Sequence, residues 1–299
     1  MSGLALLSGW AADQVLGDPR RWHPVAGFGR LALALERTLY APSRARGALY
    51  AGALVALAAL GAEAAARVLP RRLVLAACTW AALGGRSLAR EADAVAADVR
   101  SGDLGAARKA LPALVGRDPD ALDADGICRA TVESVAENTA DAVVGVLLWG
   151  AVAGPAGVVA YRAANTLDAM VGHRSERYAD FGWAAARLDD ALTWPVARAG
   201  AALAAACAPV AGGSAGAALR ALRRDGAAHP SPNAGRMEAA FAGALGVRLG
   251  GPVAYAGRVQ ERPRLGDGRA PVPDDVTRAI RLSFAVGAAA ALAGAAVAR

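Results

Sequence analysis

The sequence predicts an all-α, polytopic integral membrane protein with about four to five membrane helices and charged helical segments at the membrane face. Two observations carry this. Hydrophobic residues make up 55% of the 299 residues, and the mean hydropathy is +0.30, above what soluble globular domains carry. Four stretches, 48–69, 73–89, 142–161 and 279–297, approach the roughly 20 apolar residues that a spanning helix needs, and 191–213 is a fifth. The apolar content is mostly Ala and Val, nearly neutral toward hydrocarbon, so an Ala-rich soluble bundle is the competing architecture. The whole chain, 1–299, reads as a single membrane domain.

The formal charge is +7, but the arginines are interspersed with Asp and Glu rather than gathered into a basic stripe, so nucleic acid is not an expected partner. Cys78, Cys128 and Cys207 lie far apart without C-x-x-C spacing, which points away from disulfides and zinc. The opening MSGLALLSGWAADQ has no basic residue before its apolar part, so a cleaved signal peptide is not expected. Residues 3–16 are too short to cross and lead into the turn-forming GDPRRWHP. Segment 20–47 carries Arg20, Arg21, Arg30, Arg37, Arg44 and Arg46, which places it on the cytoplasmic side.

Pro70-Arg71-Arg72 is a tight turn that makes 48–69 and 73–89 a helical hairpin. Segments 90–140 and 162–190 are charged and helix-compatible. If 142–161 crossed completely, they would face opposite sides. Gly154-Pro155 breaks helical hydrogen bonding inside that run, which favours a broken or re-entrant segment. The Pro- and Gly-rich stretch 263–273 reads as a surface loop.

Three constellations carry chemistry. In RATVESVAENTADAVVG, 129–145, helical spacing puts Arg129, Glu133, Glu137 and Asp141 on one face, opposite a valine-rich side. Carboxylates four apart repel, and a shared cation removes that cost; Mg²⁺ suits such a site because it takes one or two carboxylates plus phosphate oxygens. A solvated helix face is the plainer alternative, weakened by the apolar run that begins at Ala142. In NTLDAMVGHRSERYADFGW, 165–183, Asn165, Asp168 and Gly172 share a face. Gly172 can end the helix in a left-handed conformation, which leaves His173, Arg174, Arg177 and Tyr178 in the next turn. Two guanidiniums there suit an anionic ligand or an internal Arg–Asp pair. In AARLDDALTWPVAR, 185–198, Arg187, Asp190, Trp194 and Arg198 share a face that Asp189 does not join, and Pro195 is placed to kink the helix beside them.

GFGRLA at 27–32 satisfies G-x-G-x-x-A but follows no strand, and there is no G-x-x-x-x-G-K-[ST] motif, so neither a dinucleotide fold nor a P-loop is expected. His23, His173 and His229 show no ligand spacing.

Taken in order, GDPRRWHPVAGFGRL, GRDPDAL, RATVESVAENTADAV, AANTLDAMVGHRSERYADFGWAAARLDDAL and SPNAGRMEAAFAGALGVRLGGPVAY resemble the CobD/CbiB family of adenosylcobinamide-phosphate synthases. The chain departs from the family's pattern at Ala142, at Val146 and in the Thr193-Trp194-Pro195 turn. The resemblance implies a multi-pass membrane enzyme that uses ATP and Mg²⁺ to join adenosylcobyric acid to (R)-1-amino-2-propanol or its O-phosphate, with its active site on the cytoplasmic side. For such a reaction the candidate catalytic residues are Glu133, Glu137, Asp141 and Asp168, with Mg²⁺ on Glu133, Glu137 and Asp141. The candidate substrate-binding residues are His23, Asn138, Asn165, His173, Arg174, Arg177, Tyr178, Asp190, Arg198 and Asn233. The lipid bilayer and other cobalamin-pathway enzymes are the implied partners. A transporter of a small anionic or corrinoid-like solute, and a membrane scaffold, are the rival readings.

Overall fold

The computed structural model describes residues 2–18, 23–120, 122–173, 175–255 and 258–298. Among the described residues the regular structure is helical apart from a small antiparallel hairpin and an isolated bridge between Val247 and Arg269, and the contacts divide the chain into two compact units. Unit 1 holds residues 1–84, 141–196 and 290–299; unit 2 holds 85–140 and 197–289. Four helical segments among the described residues are long and apolar enough to cross a membrane: Arg44–Val68, Ala124–Gly172, Trp183–Ala211 and Pro273–Val297. The protein is thus a multi-pass, all-α membrane protein in architecture.

Unit 1 begins with α1 (Ser2–Leu16) and α2 (Pro24–Leu39). Pro24 opens α2 at a position whose N–H has no helical partner anyway, and the His23 imidazole caps it by accepting from the Val25 N–H. Helices α3 (Arg44–Val68) and α4 (Arg71–Ala82) follow, joined by Leu69-Pro70. This bears out the tight turn at Pro70. The stretch 73–89 is not one span, however: α4 ends at Ala82 and α5 (Gly85–Ser101) begins just beyond Gly84. Twelve residues rise only about 18 Å, so α4 is too short to cross.

Helix α3 leaves Leu49, Leu57 and Leu60 exposed, the pattern expected of a lipid-facing surface. Its other side packs into a core of Tyr50, Leu54, Leu167, Val171 and Phe181. The Tyr50 and Phe181 rings stand 5.0 Å apart, and the Tyr50 hydroxyl donates to the Ala32 carbonyl. These contacts tie α2 and α3 to the C-terminal end of α8 (Gly145–Leu167).

The central feature of unit 1 is that α8 doubles back on itself. Gly154 sits at φ 63°, ψ −147°, a left-handed, non-helical conformation in which a side chain is strained. Pro155 restarts the helix, where its missing N–H costs nothing. A methyl group built on Gly145 would collide with the Tyr161 ring, and one on Gly150 would lie 2.9 Å from a Val158 methyl. In a straight helix residues 145 and 161 would be about 24 Å apart. The two halves therefore run antiparallel, the arrangement that a re-entrant segment requires.

Unit 2 contains α5, α6 (Leu104–Ala110), α7 (Ala124–Thr139), α10 (Ala215–Asp225), α11 (Ala234–Leu245) and the hairpin of β1 (Leu249–Tyr255) and β2 (Arg258–Leu265). Helices α9 (Trp183–Cys207) and α12 (Pro273–Val297) each contribute to both units. Asp123 caps α7 by accepting the Gly126 N–H at 2.8 Å. The hairpin corrects the expectation of a loop over 263–273, since β2 runs to Leu265, with Leu249 paired to Leu265 and Gly251 to Arg262.

Two further expectations change. Residues Ala140–Val144 form a π-helical turn, so the even helical spacing that aligned Glu133, Glu137 and Asp141 does not hold at Asp141. A second π turn, Asp168–Gly172, ends the α8 segment. Gly172 does not adopt a left-handed conformation there; it is small because the Asp168 carboxylate occupies the space beside it. Residues 176–182 form turns rather than helix.

Candidate functional site

The fold-back of α8 assembles a polar cluster inside unit 1. Opposite Gly145 stands Tyr161, whose hydroxyl lies 3.3 Å from the Thr193 hydroxyl on α9. One residue on, the Arg162 guanidinium donates to Asn165 Oδ1 at 3.1 Å, and Asn165 Nδ2 donates to Asp189 Oδ1 at 3.3 Å. Asp141, Asp18 and Asp189 are all within electrostatic range of Arg162. Asp168 is within the same range of Asp189, Asp190 and His173. Asp141 from the first constellation and Asp189 from the third thus both lie within the field of Arg162, which Asn165 from the second links to Asp189.

Two buried polar atoms in this cluster, Arg162 Nε and Asp18 Oδ1, have no hydrogen-bond partner. Such atoms carry a desolvation cost that a ligand can relieve. Beside Arg162 opens an apolar cavity of about 460 Å³, lined by Phe28, Cys78, Trp80 and Thr166 among others. Burial raises the Cys78 thiol above its ordinary pKa, so it stays protonated on the cavity wall. The arrangement offers a cation, several acids and an apolar wall in one place, which suits a large ligand bearing a carboxylate.

Asp189 and Arg162 are the residues that the helical-face argument missed. Asp190, assigned to the arginine face, lies 3.8 Å from Arg187, as that argument required. Asp189, left off the face, is buried and is the residue that reaches Asn165. No signal within residues 185–198 marks it, because its partner lies on another helix. Arg162 opens the charged segment just beyond the apolar run, where its spacing joins none of the three constellations.

Other expected site residues are engaged elsewhere. The Arg177 guanidinium donates to Glu36 Oε1 at 2.9 Å, as does the Tyr178 hydroxyl, and Arg177 stacks over Tyr40 at 4.0 Å. The bond to Glu36 and the Tyr178 hydroxyl raise the Arg177 pKa, so it stays charged. His173 touches Tyr178 edge-on at 5.0 Å between ring centres. His23 is turned toward the α2 cap, with its other nitrogen 3.9 Å from Asp18. Arg174, together with Arg20 and Arg21, lies outside the described residues.

In unit 2 the acids behave differently. Glu133 is buried and binds the Arg117 guanidinium at 2.6 Å and the Gly250 N–H at 2.7 Å, so both its oxygens are occupied by protein. Asn138 donates back to the Ser134 carbonyl within α7. Glu137 lies within electrostatic range of Glu238, a buried acid on α11. Burial first, and then Glu133 and Glu137, push the Glu238 carboxyl well above its ordinary pKa. His229, 3.9 Å from Glu238, is lowered mainly by burial. Arg198 faces Arg236 electrostatically, and Asn233 is buried at the start of α11. Among the described residues, no three His, Cys, Asp or Glu side chains are close enough together to hold a metal ion.

Comparison with known proteins places this architecture. A family model described as CobD/Cbib protein matches residues 6–283. A cobalamin biosynthesis protein CobD from Mycobacterium tuberculosis is 53% identical over 97% of this chain and 93% of its own length. Proteins of the same description from Chromobacterium violaceum and Rhodobacter capsulatus are 46% and 41% identical, each over 90% of this chain and over 88% and 89% of their own lengths. No solved structure matches the chain. With the family model covering nearly the whole sequence and relatives this similar along their length, the chain belongs to the CobD/CbiB family.

Proposed function

We propose that the protein is a membrane-bound cobalamin biosynthesis enzyme that forms an amide between adenosylcobyric acid and (R)-1-amino-2-propanol or its O-phosphate, driven by ATP. The observation that carries this reading is the similarity, over 97% of the chain, to a relative named for cobalamin biosynthesis. Amide formation from a carboxylate needs a leaving group that the free acid lacks. ATP supplies it, and Mg²⁺ offsets the phosphate charge.

The unit 1 cluster offers the groups that such a step uses. Arg162, with one buried nitrogen unpartnered, would hold the substrate carboxylate or a phosphate oxygen. Asp168 and Asp189, which lie within electrostatic range of each other, would hold Mg²⁺ together with phosphate oxygens. Glu133 does not fit that role, because Arg117 and Gly250 already take its oxygens. Asp141, within the field of Arg162, would be the group that accepts a proton as the amine attacks. Asn165 bridges Arg162 and Asp189 and fixes both. The cytoplasmic side fits this site, since Asp18 and His23 border the arginine-rich segment 20–47.

Membranes containing the chain, given ATP, Mg²⁺, adenosylcobyric acid and either amine, should yield a corrinoid heavier by the amine less water. Mass spectrometry that finds no such product with either amine would sink the reading. One observation favours a transporter instead: helices broken inside an apolar run also line solute sites. That reading predicts accumulation of unmodified corrinoid in sealed vesicles.

A further inference from the structure

A second cavity, of about 510 Å³, lies in unit 2 between the start of α7 and the β-hairpin. Its wall carries three arginines, Arg129, Arg248 and Arg264, and two acids, Asp123 and Asp125. Several arginines of this unit are held in ion pairs. Arg117 pairs with Glu133, Arg224 with Asp225 and Asp267, and Arg269 and Arg278 both pair with Asp275. Among the described residues, none of the three cavity arginines is in an ion pair. Arg129 donates only to the Pro252 carbonyl, at 3.3 Å, and its buried Nε has no partner. Asp123 and Asp125 balance only two of the three arginines, so the wall keeps an excess of positive charge.

We propose that this cavity binds a phosphate-bearing small molecule, with Arg129, Arg248 and Arg264 as its phosphate ligands. Arginine forks match phosphate oxygens bidentately, and exposed arginines without an acid partner are free to turn toward one. The glycine turn does not cradle the anion: the Gly250 N–H is already given to Glu133 at 2.7 Å. Glu133 is instead a positioning residue, holding Gly250, at φ 77°, against the wall. The cavity is larger than inorganic phosphate needs, and Leu122, Pro252, Ala270 and Pro271 give the rest of the ligand an apolar surface. Two sources supply this chemistry, a nucleotide and a phosphorylated amino alcohol. Only the choice between them rests on the reaction proposed above.

Calorimetry on the full chain in detergent, at low salt and without corrinoid, tests binding apart from turnover. The probes are pyrophosphate, a non-hydrolysable ATP analogue and O-phosphoethanolamine. At least one should bind, about tenfold more weakly in Arg129→Gln and in Arg264→Gln, with only partial recovery in Arg264→Lys, which restores the charge but not the fork, and no change in Arg220→Gln on the exposed face of α10. Binding of the ATP analogue alone assigns a nucleotide, and binding of O-phosphoethanolamine alone a phosphorylated amine; each supports the pocket. If no probe binds, or if exposed Arg264→Gln leaves every affinity unchanged, the proposal fails. Neither result alters what the corrinoid mass measurement says about the reaction.

Discussion

Asn165 on the returning half of α8 donates a hydrogen bond to Asp189 on α9 across 3.3 Å, and the same amide accepts from Arg162. One asparagine therefore sets the distance between a guanidinium and a carboxylate drawn from separate helices. Asp189→Asn keeps the shape and removes the charge. It should lower turnover about 100-fold or more while the amount of protein in the membrane stays unchanged. Product formed per immunodetected protein is the readout, and an undiminished rate would remove Asp189 from the site.

The helical hairpin depends on Gly145 and Gly154. Gly154→Ala forces a side chain into a positive-φ conformation that essentially only glycine adopts, at a cost of about 1–3 kcal/mol. Gly145→Val drives a branched side chain into the Tyr161 ring, and overpacking of this kind costs about 1–3 kcal/mol. Both should lower the unfolding temperature in detergent. Tyr161→Ala in the Gly145→Val background should recover part of the loss, because the two residues share one space; strictly additive effects would argue against the fold-back.

Arg117 and Glu133 form a buried pair, with side chains 6% and 3% exposed. Glu133→Ala strands a buried guanidinium and should cost about 3–5 kcal/mol. Replacing both residues with Met should cost less than Glu133→Ala alone, since no unpaired charge remains. A denaturation series on the three variants checks this ordering. If Glu133→Ala were as stable as the parent yet inactive, Glu133 would be a ligand rather than a structural anchor.

Glu238 makes a pH prediction. Its folded pKa is raised, chiefly by burial, so between its ordinary value of 4.5 and the raised one the folded chain holds a proton that the unfolded chain releases. Stability from this group is fully present below the ordinary value and is lost as pH rises through the folded one. Glu238→Gln, which mimics the protonated acid, should flatten the fall in unfolding temperature above pH 5. An identical pH slope in the variant would show that Glu238 ionises freely in the fold.

What could be read from the sequence follows from where each interaction partner lies. The break at Gly154-Pro155 was legible because those two residues disrupt a helix by themselves, whatever surrounds them. The approach of Asp141 to Tyr161 and Arg162 follows from that break once the register of the two halves is known. That Glu133 is buried and bound to Arg117 and the Gly250 N–H was not legible, because those partners lie on other elements and helical spacing alone does not separate a buried anchor from an exposed ligand. Asp189 was passed over for the mirror-image reason. The π turn at Ala140–Val144 shifts the spacing without any proline or glycine at its start to announce it. Gly84-Gly85 did carry a signal that divides 73–89, and the length of the apolar run obscured it.

The most direct test of the account follows the oxygen atoms of the carboxylate. Adenosylcobyric acid labelled with heavy oxygen at its free carboxyl group would be converted by membranes containing the chain, in the presence of ATP, Mg²⁺ and the amine. If ATP activates that carboxylate before the amine attacks, a labelled oxygen is transferred to the phosphate or nucleotide released for each amide formed. Amide formation with every label retained in the corrinoid or lost to water, or no amide at all, would contradict it.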